Sequence, residues 1–309
     1  MPLISIITVN FNQPQVTCAL LDSIRQQDYR NVEVFVVDNG SEDNPEALFR
    51  TQYPDVHFIR SEHNLGFAGG NNLALEHTKG DYLFFINNDA ELTTGCLARL
   101  VSLFDQRPLL GLASPMICYY PEEGQAEDLI QYAGMTPMHA LTGRNRTIGQ
   151  GELERGQYRG PVPTAFAHGA AMMIPRRVLE TVGPMSENFF LYYEELDWGE
   201  RIRAKGFEIW VEPQARVYHK ESLTVSQLGP LKTYYLNRNR VLFMRRHNRG
   251  WRLGLFYVFL FGVAVPKNGL QYILRGETAN LQAYWRGIWW NFKKDRNGSI
   301  KFQHKGHEV

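Results

Sequence analysis

"LISIITVNFN", residues 3–12, and "VEVFVVDNGS", residues 32–41, decide the fold. Each begins as a β-branched apolar run and ends in amides, a carboxylate or a hydroxyl. Runs this apolar do not suit an exposed strand; they suit parallel strands buried on both faces. Between them "QVTCALLDSIRQQ" places Val16, Ala19, Leu20 and Ile24 at helical spacing. "VHFI" (56–59) and "DYLFFI" (81–86) read as the next strands, with a short helix in "GGNNLALEHTKG" closed by Gly80. "CLARLVSLFDQ" and "GLASPMI" repeat the alternation. The pattern is that of an α/β protein with a doubly wound, mostly parallel sheet. Such sheets bind ligands outside the carboxyl ends of their strands.

Three strand ends carry polar groups to that rim. They are "TVNFN", "VVDNGS" and "INNDAE", the last running from Ile86 to Glu91. One Asn/Asp turn is ordinary, because these side chains bond their own backbone. Three on one rim define a site. Asn87 and Asp89 alternate around Asn88, so two oxygen-bearing side chains can reach one hard cation or a ribose. Mg2+ or Mn2+ bound by one or two carboxylates plus substrate phosphates is a normal arrangement. The glycines of "LGFAGG" do not follow G-x-G-x-x-G and no Walker lysine motif occurs, which argues against a nicotinamide dinucleotide and a P-loop.

The chain of 309 residues, 44% hydrophobic and 13% aromatic, is long enough for one large domain or a domain with an appendage. Three scattered cysteines, Cys18, Cys96 and Cys118, make neither a disulfide framework nor a zinc site and suit a reduced, cytoplasmic compartment. "MPLISIITVNFN" lacks the basic start and the apolar length of a signal peptide.

A net charge of +1 hides an asymmetry: residues 228–309 hold fifteen Lys and Arg against three Asp and Glu. That local +12 implies an anionic partner. "PLKTYYLNRNRVLFMRRHN" reads as a basic helix. "LGLFYVFLFGVAV" (253–265) is 13 uncharged residues closed by Pro266 and Lys267. A bilayer span needs about 20, so an interfacial or core helix is expected. "LQAYWRGIWWNFKKD" mixes Trp285, Trp289 and Trp290 with Arg286, Lys293 and Lys294, the blend selected at lipid headgroups. An anionic membrane surface is the expected partner, with a homodimer through this extension as the alternative, and no nucleic acid.

Residues 119–165, rich in Gly, Pro and Thr, read as loop with short strands, and a long irregular insertion beside a site is often functional. Beyond them, "AFAHGAAMMI" reads as a strand in which Gly169 permits tight packing. "PRRVLETVG" reads as a short helix, and "FFLYYEELDWGERIRAKGF" as an aromatic approach to a helix ending near Gly206. "IWVEPQARVYHKES" reads as two short strands.

Taken in order, "SIITVNFN", "VVDNGS", "NLGFAGGNN", "INNDAE" and "FFLYYEELDWGERIRAKGF" resemble family 2 glycosyltransferases of the GT-A fold. The similarity covers roughly residues 3 to 245 and is closest to rhamnosyltransferase-like enzymes of bacterial polysaccharide assembly. It implies a transferase domain over residues 1–227, with a donor-binding half (1–118) and an acceptor-binding half (119–227), and a helical basic/aromatic extension over 228–309. Asp38 matches the aspartate at the nucleotide base, with Val9 and Asn10 at the neighbouring strand end. Asn64, Gly69 and Asn72 match a turn lining the nucleotide sugar. Asn87, Asn88 and Asp89 match the D-x-D metal motif, Asn87 standing where the family has its first carboxylate. An amide oxygen there still ligates a cation or bonds ribose, with weaker metal affinity. His219 of "VYHKES" matches a histidine that completes the metal site in some relatives.

The acidic pair Glu194 and Glu195 matches the family's base position, Glu195 being the residue that removes the acceptor proton. Glu194, Asp197 and Trp198 would face the acceptor, Asp197 as hydrogen-bonding group and Trp198 as stacking platform. The activity implied is inverting hexosyl transfer from a nucleotide-diphosphate sugar, dTDP-rhamnose being the leading candidate, to a polysaccharide or lipid-linked saccharide of the bacterial cell wall or surface. A divalent cation, Mg2+ or Mn2+, would stabilise the departing diphosphate. The place implied is peripheral, on the inner face of the cell membrane. Galactosyl, glucosyl and N-acetylhexosaminyl donors stay open. A sugar nucleotidyltransferase should carry Arg and Lys in a glycine-rich first loop, and "VNFNQPQ" has none of these. A non-catalytic nucleotide-sugar binding protein would have no need of Glu195.

Overall fold

The computed structural model describes residues 1–121, 128–220 and 229–293. Residue 228 and residues 294–309, Lys294 among them, lie outside the described residues. The chain forms two compact units. The first comprises Met1–Pro137, Arg146–Glu187 and Glu194–Glu221; the second comprises Met138–Asn145, Asn188–Tyr193 and Ser222–Val309. Two short segments from within the expected transferase domain thus belong to the second unit.

The first unit is a sheet covered on both faces. It is built from β1 (Ile4–Asn10), β2 (Val32–Asn39), β3 (Val56–Ser61), β4 (Tyr82–Ile86), β5 (Ala90–Leu92), β6 (Leu110–Tyr119), β7 (Ile130–Tyr132), β8 (Val162–Pro163), β9 (Ala171–Pro175) and β10 (Glu208–His219). The main path runs β3-β2-β1-β4-β9-β6-β10-β5, with β7 on β6 and β8 on β10. β1, β2, β3 and β4 are mutually parallel where they pair, as are β6 and β10, whereas β9 runs antiparallel to β4. The pleat sorts side chains by parity. Ile4, Ile6, Val34, Val36, Phe84 and Ile86 pack under α1 (Pro14–Arg25), α2 (Glu46–Gln52) and α4 (Cys96–Gln106). Ile7, Phe35, Val37, Leu83 and Phe85 pack under α3 (Gly66–Leu73), α5 (Arg176–Val182) and α6 (Glu194–Ala204). Both faces being covered, these strands are apolar at most positions, with Ser5, Thr8 and Asn10 of β1 as buried polar exceptions.

Two elements depart from expectation. The strand expected over "AFAHGAAMMI" begins only at Ala171, because His168 and Gly169 form a turn: the Ala171 N–H bonds the His168 carbonyl at 3.2 Å. The two strands expected over 209–222 are one, ending at His219, and residues 221–222 lie outside the described residues. A bulge between Glu212 and Arg216 takes up Pro213, which has no N–H to give a ladder.

The second unit is helical, with α7 (Gly229–His247), α8 (Gly250–Phe259), α9 (Val265–Leu274) and α10 (Thr278–Trp290). α7 and α10 meet closely at Gly287, where a Cβ would stand 2.5 Å from the Tyr234 carbonyl oxygen. Arg238 and Arg240 of α7 are buried, so part of the basic excess does not face outward. Arg238 bonds the carbonyls of Asn188 and Phe189 and lies over the Trp290 ring, while Arg240 bonds the Thr142 carbonyl. Burial lowers the pKa of both guanidinium groups.

Pro266 does not end the apolar helix. A π-helical turn, Leu260–Ala264, joins α8 to α9, which accepts Pro266 in its first turn. The helix therefore runs continuously from Gly250 to Leu274, 25 residues, and by length and composition it is long enough to cross a membrane. Phe256, Leu260, Ala264 and Val265 are buried, whereas Trp251, Leu255, Val258, Phe261 and Val263 are exposed.

Gly287→Ala forces α10 away from α7, and overpacking of this kind costs about 1–3 kcal/mol. Urea denaturation followed by tryptophan fluorescence should show a lower midpoint for this variant. An unchanged midpoint would mean that the helices separate freely at this crossing.

Candidate active site

All of the following lie in the first unit. At the ends of β1 and β2, Asp38 and Asn10 are fully buried. Asn10 Nδ2 donates to Asp38 Oδ1 at 2.8 Å, and the Ser41 hydroxyl donates to the same oxygen. Asn10 Oδ1 accepts from Thr17 Oγ1 at 2.9 Å, and Thr17 Oγ1 accepts from Asn88 Nδ2 at 3.2 Å. One hydrogen-bonded chain therefore ties Asp38 to the residues after β4. Among the described residues no hydrogen bond reaches the other, buried carboxylate oxygen, Asp38 Oδ2, and Arg60 Nε lies 3.7 Å away. A buried carboxylate oxygen in this state is costly unless a donor reaches it. Ser41, Thr17 and Arg60 were not singled out from the sequence, although Ser41 ends the quoted "VVDNGS".

The second half of the site joins residues far apart in the chain. β5 pairs antiparallel with β10, Ala90 facing His219. This sets His219 Nε2 3.1 Å from Asp89 Oδ1, both side chains less than a tenth exposed. His219 Nδ1 lies 2.8 Å from Gln131 Oε1, and Asn87 Nδ2 lies 3.3 Å from Nε2. With Nδ1–H given to the Gln131 carbonyl oxygen, Nε2 turns its lone pair toward a carboxylate. Two acceptors at this distance need a proton or a cation between them. Cis ligands of an octahedral Mg2+ or Mn2+ stand about 3.0 Å apart, so the spacing suits a hard cation. Among the described residues no group of three His, Cys, Asp or Glu side chains is arranged to hold a metal. The pair supplies two ligands, leaving the others to substrate phosphates and water, and on that basis the residues fit. Gln131, in a segment without periodic pattern, gave no signal in the sequence.

The His168–Gly169 turn stands beside this pair. The His168 ring lies 6.2 Å from the His219 ring, edge to face. Its Nδ1 accepts from the Ala170 N–H at 3.1 Å. Burial, with His219 adding to it, pushes the His168 pKa down to about 3. Packing does not require a glycine at 169: an added Cβ would meet only Phe67 at 3.8 Å and Glu195 at 3.9 Å. The turn thus lies alongside the Glu195 side chain, at ordinary van der Waals distance from an added Cβ. Glu195 is half-buried at the first turn of α6, while Glu194 is buried. A helix N-terminus favours ionised carboxylates.

Several expected residues are used inside the protein. Asp197 and Trp198 are fully buried, so neither faces an acceptor. Asp197 pairs with Arg201 at 3.0 Å, and Arg201 bonds the carbonyls of Val182 and Pro184. Trp198 donates its indole N–H to the Gly183 carbonyl and sits edge-on to Phe85. These residues fasten the loop between α5 and α6. In the donor turn, Asn64 Oδ1 accepts from Asn39 Nδ2 and from the Gly66 N–H, seating the start of α3. Asn72 Nδ2 bonds the Met185 carbonyl and Glu187, and a Cβ on Gly69 would strike Leu65 at 2.7 Å. Val9 packs against Gly70. Asn64, Gly69, Asn72 and the Val9 side chain are therefore engaged in contacts within the protein that shape the rim.

Gln131→Leu frees the His219 ring from its orienting partner, and loss of such partners costs about 10–100-fold in metal affinity. Titration with Mn2+ in the presence of a nucleoside diphosphate should show this; unchanged affinity would remove Gln131 from the site. His168 generates a pH effect on stability. Unfolded, it titrates near 6.5; folded, near 3. As pH falls below 6.5 the unfolded chain takes up a proton that the folded chain refuses, so stability drops toward pH 3. The slope from this one proton is at most about 1.4 kcal/mol per pH unit. His168→Gln, which keeps an acceptor for the Ala170 N–H, should flatten the stability profile between pH 6.5 and 4, and an unaltered profile would contradict the assignment.

The model of glycosyl transferase family 2 matches residues 5–183. A hexosyltransferase of low-salt glycan biosynthesis from Haloferax volcanii is 28% identical over 244 residues, spanning 77% of this chain and 74% of that protein. An N-acetylglucosaminyl-diphospho-decaprenol L-rhamnosyltransferase from Mycobacterium tuberculosis is 24% identical over 245 residues, 72% of this chain and 77% of that one. A mannosyltransferase from Pyrobaculum calidifontis, solved in complex with GDP-Man and Mn2+, is 17% identical and superposes with a TM-score of 0.59 over 94% of this chain and 88% of its own. GalNAc-T7, solved with UDP, GalNAc and Mn2+, is 14% identical and gives a TM-score of 0.58 over 77% of this chain and 48% of that one. The family match spans more than half of the chain, and the sheet has the architecture of these neighbours. The chain belongs to glycosyl transferase family 2 and is a hexosyltransferase of the GT-A fold.

Proposed function

We propose that this hexosyltransferase transfers rhamnose, with inversion, from a nucleotide-diphosphate donor such as dTDP-rhamnose to a polysaccharide or lipid-linked saccharide. The observation that carries the reading is the Asp89–His219 pair at 3.1 Å, with the Gly169 turn between it and Glu195. The Mycobacterium relative's name supports the sugar and the lipid-linked acceptor.

Asp38, with one buried oxygen that no hydrogen bond reaches among the described residues, is suited to accept an N–H from the nucleobase while Asn10 fixes its other oxygen. Asp89 and His219 would hold a divalent cation, and Asn87 lies within reach of the same place. When bound, that cation supplies charge neutralisation for the departing nucleoside diphosphate. Glu195 takes the proton of the acceptor hydroxyl as that oxygen bonds the anomeric carbon, while the bond from this carbon to the diphosphate breaks on the opposite side. One carboxylate suffices, and no covalent sugar–enzyme species forms. Glu195 suits the role better than Glu194 because only Glu195 is partly accessible. The second unit, with its exposed apolar helix face, would rest on the inner surface of the cell membrane.

Glu195→Gln should cut turnover by about 10²–10⁴ while leaving donor affinity nearly intact. Steady-state transfer and donor titration on Glu195→Gln and Glu194→Gln measure this. An active Glu195→Gln beside a dead Glu194→Gln would move the base by one position. A panel of nucleotide sugars tests the donor: turnover of UDP- or GDP-sugars without dTDP-rhamnose would overturn rhamnose and leave the transferase reading intact.

A further inference from the structure

The second unit holds a groove of about 560 Å³ that the transfer chemistry does not use, lined by Tyr234, Trp285, Arg286, Trp289, Trp290 and Lys293. Arg286 and Trp289 or Trp290 stand at three- to four-residue spacing on one side of α10, and Lys293, just past its end, lines the same groove. Trp285 is 44% and Trp289 56% exposed. Among the described residues, neither Arg286 nor Lys293 is in a hydrogen bond or ion pair. Trp290 forms a fixed wall, because the buried Arg238 guanidinium lies 3.9 Å from its ring centre.

What adjoins the groove indicates its occupant. Trp289 touches Phe292 at 6.0 Å between ring centres, and Phe292 touches Tyr257 and Phe261 at 5.7 Å each. From there the exposed side of the helix continues through Val258, Leu255 and Trp251. Two cations thus stand at the end of a continuous apolar strip, the arrangement of a charged headgroup above a hydrocarbon tail. A second copy of this chain fits less well: in a twofold contact the same patch meets itself, setting Arg286 and Lys293 against their own copies. A soluble anion would leave the strip bare.

We propose that this groove binds the phosphate of a membrane lipid, Arg286 and Lys293 pairing its oxygens and the indoles of Trp285 and Trp289 packing on its stem. Two cations match a phosphomonoester, which carries close to two negative charges at neutral pH, better than a diester with one. The proposal rests on the membrane-surface reading and makes it specific: one seated lipid in place of diffuse adsorption.

The test uses the full chain and a short-chain phosphatidate below its micelle concentration, titrated by calorimetry, with inorganic phosphate as comparator. The expected result is saturable binding of one lipid per chain, at least about tenfold tighter than phosphate. Arg286→Gln with Lys293→Gln should weaken it by about tenfold or more, as loss of charge-assisted hydrogen bonds does. Trp289→Ser should weaken phosphatidate and leave phosphate unchanged. Vesicles doped with phosphatidate should bind more chain than phosphatidylglycerol vesicles of equal charge, and the double variant should lose that preference. Absence of saturable phosphatidate binding, equal uptake by both vesicles, or a concentration-dependent dimer abolished by Trp289→Ser would overturn the proposal. Donor binding by the same variants, measured alongside, reports folding. A negative donor panel with intact lipid binding would refute the rhamnose reading alone.

Discussion

The pairing of a three-residue strand with the end of a long one holds the site together. β5 lies antiparallel to the last residues of β10, and the Lys220 N–H bonds the Asp89 carbonyl at 3.0 Å. β10 is itself held parallel to β6, with His219 opposite Tyr119. Asp89 and His219, 130 positions apart in the chain, therefore meet through backbone geometry before their side chains interact. Gln131 is brought to the far side of the imidazole by β7, which pairs with β6. A sheet slip of one residue would turn His219 to the opposite face.

The same constraint links the two sides of the rim proposed to hold donor and base. The Asn87 N–H bonds the carbonyl of Ala170, which follows the His168–Gly169 turn. On the donor side, the buried chain Asp38–Asn10–Thr17–Asn88 couples the ends of β1 and β2 to the loop after β4. A connected polar chain of this kind is stiff, and one broken member leaves its neighbours unpaired in low dielectric. That stiffness suits the proposed transfer, which would need a nucleotide diphosphate and an attacking hydroxyl held in line. The glycosyltransferase family supplies the reaction class; these contacts supply the positions.

Much of this was legible in the sequence because it depends on local pattern. β-branched runs announced strands buried on both sides, and their polar ends marked the rim that carries Asn10, Asp38 and Asp89. What depends on distant packing was not. Trp198 reads as a sugar platform after two glutamates, yet its spacing to Ile202 is that of a buried helix face, and both are fully buried. Gln131 acts only because β7 folds onto β6, and nothing in "LIQYAG" signals it. Pro266 reads as a helix end, since proline clashes with the preceding turn. The π turn before it removes that conflict, a device no local rule anticipates. Gly169 reads as a packing glycine, whereas an added Cβ there would make ordinary contacts with Phe67 and Glu195.

The proposed mechanism requires Asp89 and His219 jointly to hold a divalent cation under the donor diphosphate. Anomalous diffraction from crystals soaked with Mn2+ and a nucleoside diphosphate locates the ion without reference to turnover. The account predicts one peak about 2.1 Å from both Asp89 and His219 Nε2, with diphosphate oxygens completing the sphere. A peak bound to the diphosphate but clear of His219, or an ion held elsewhere on the rim, would contradict it.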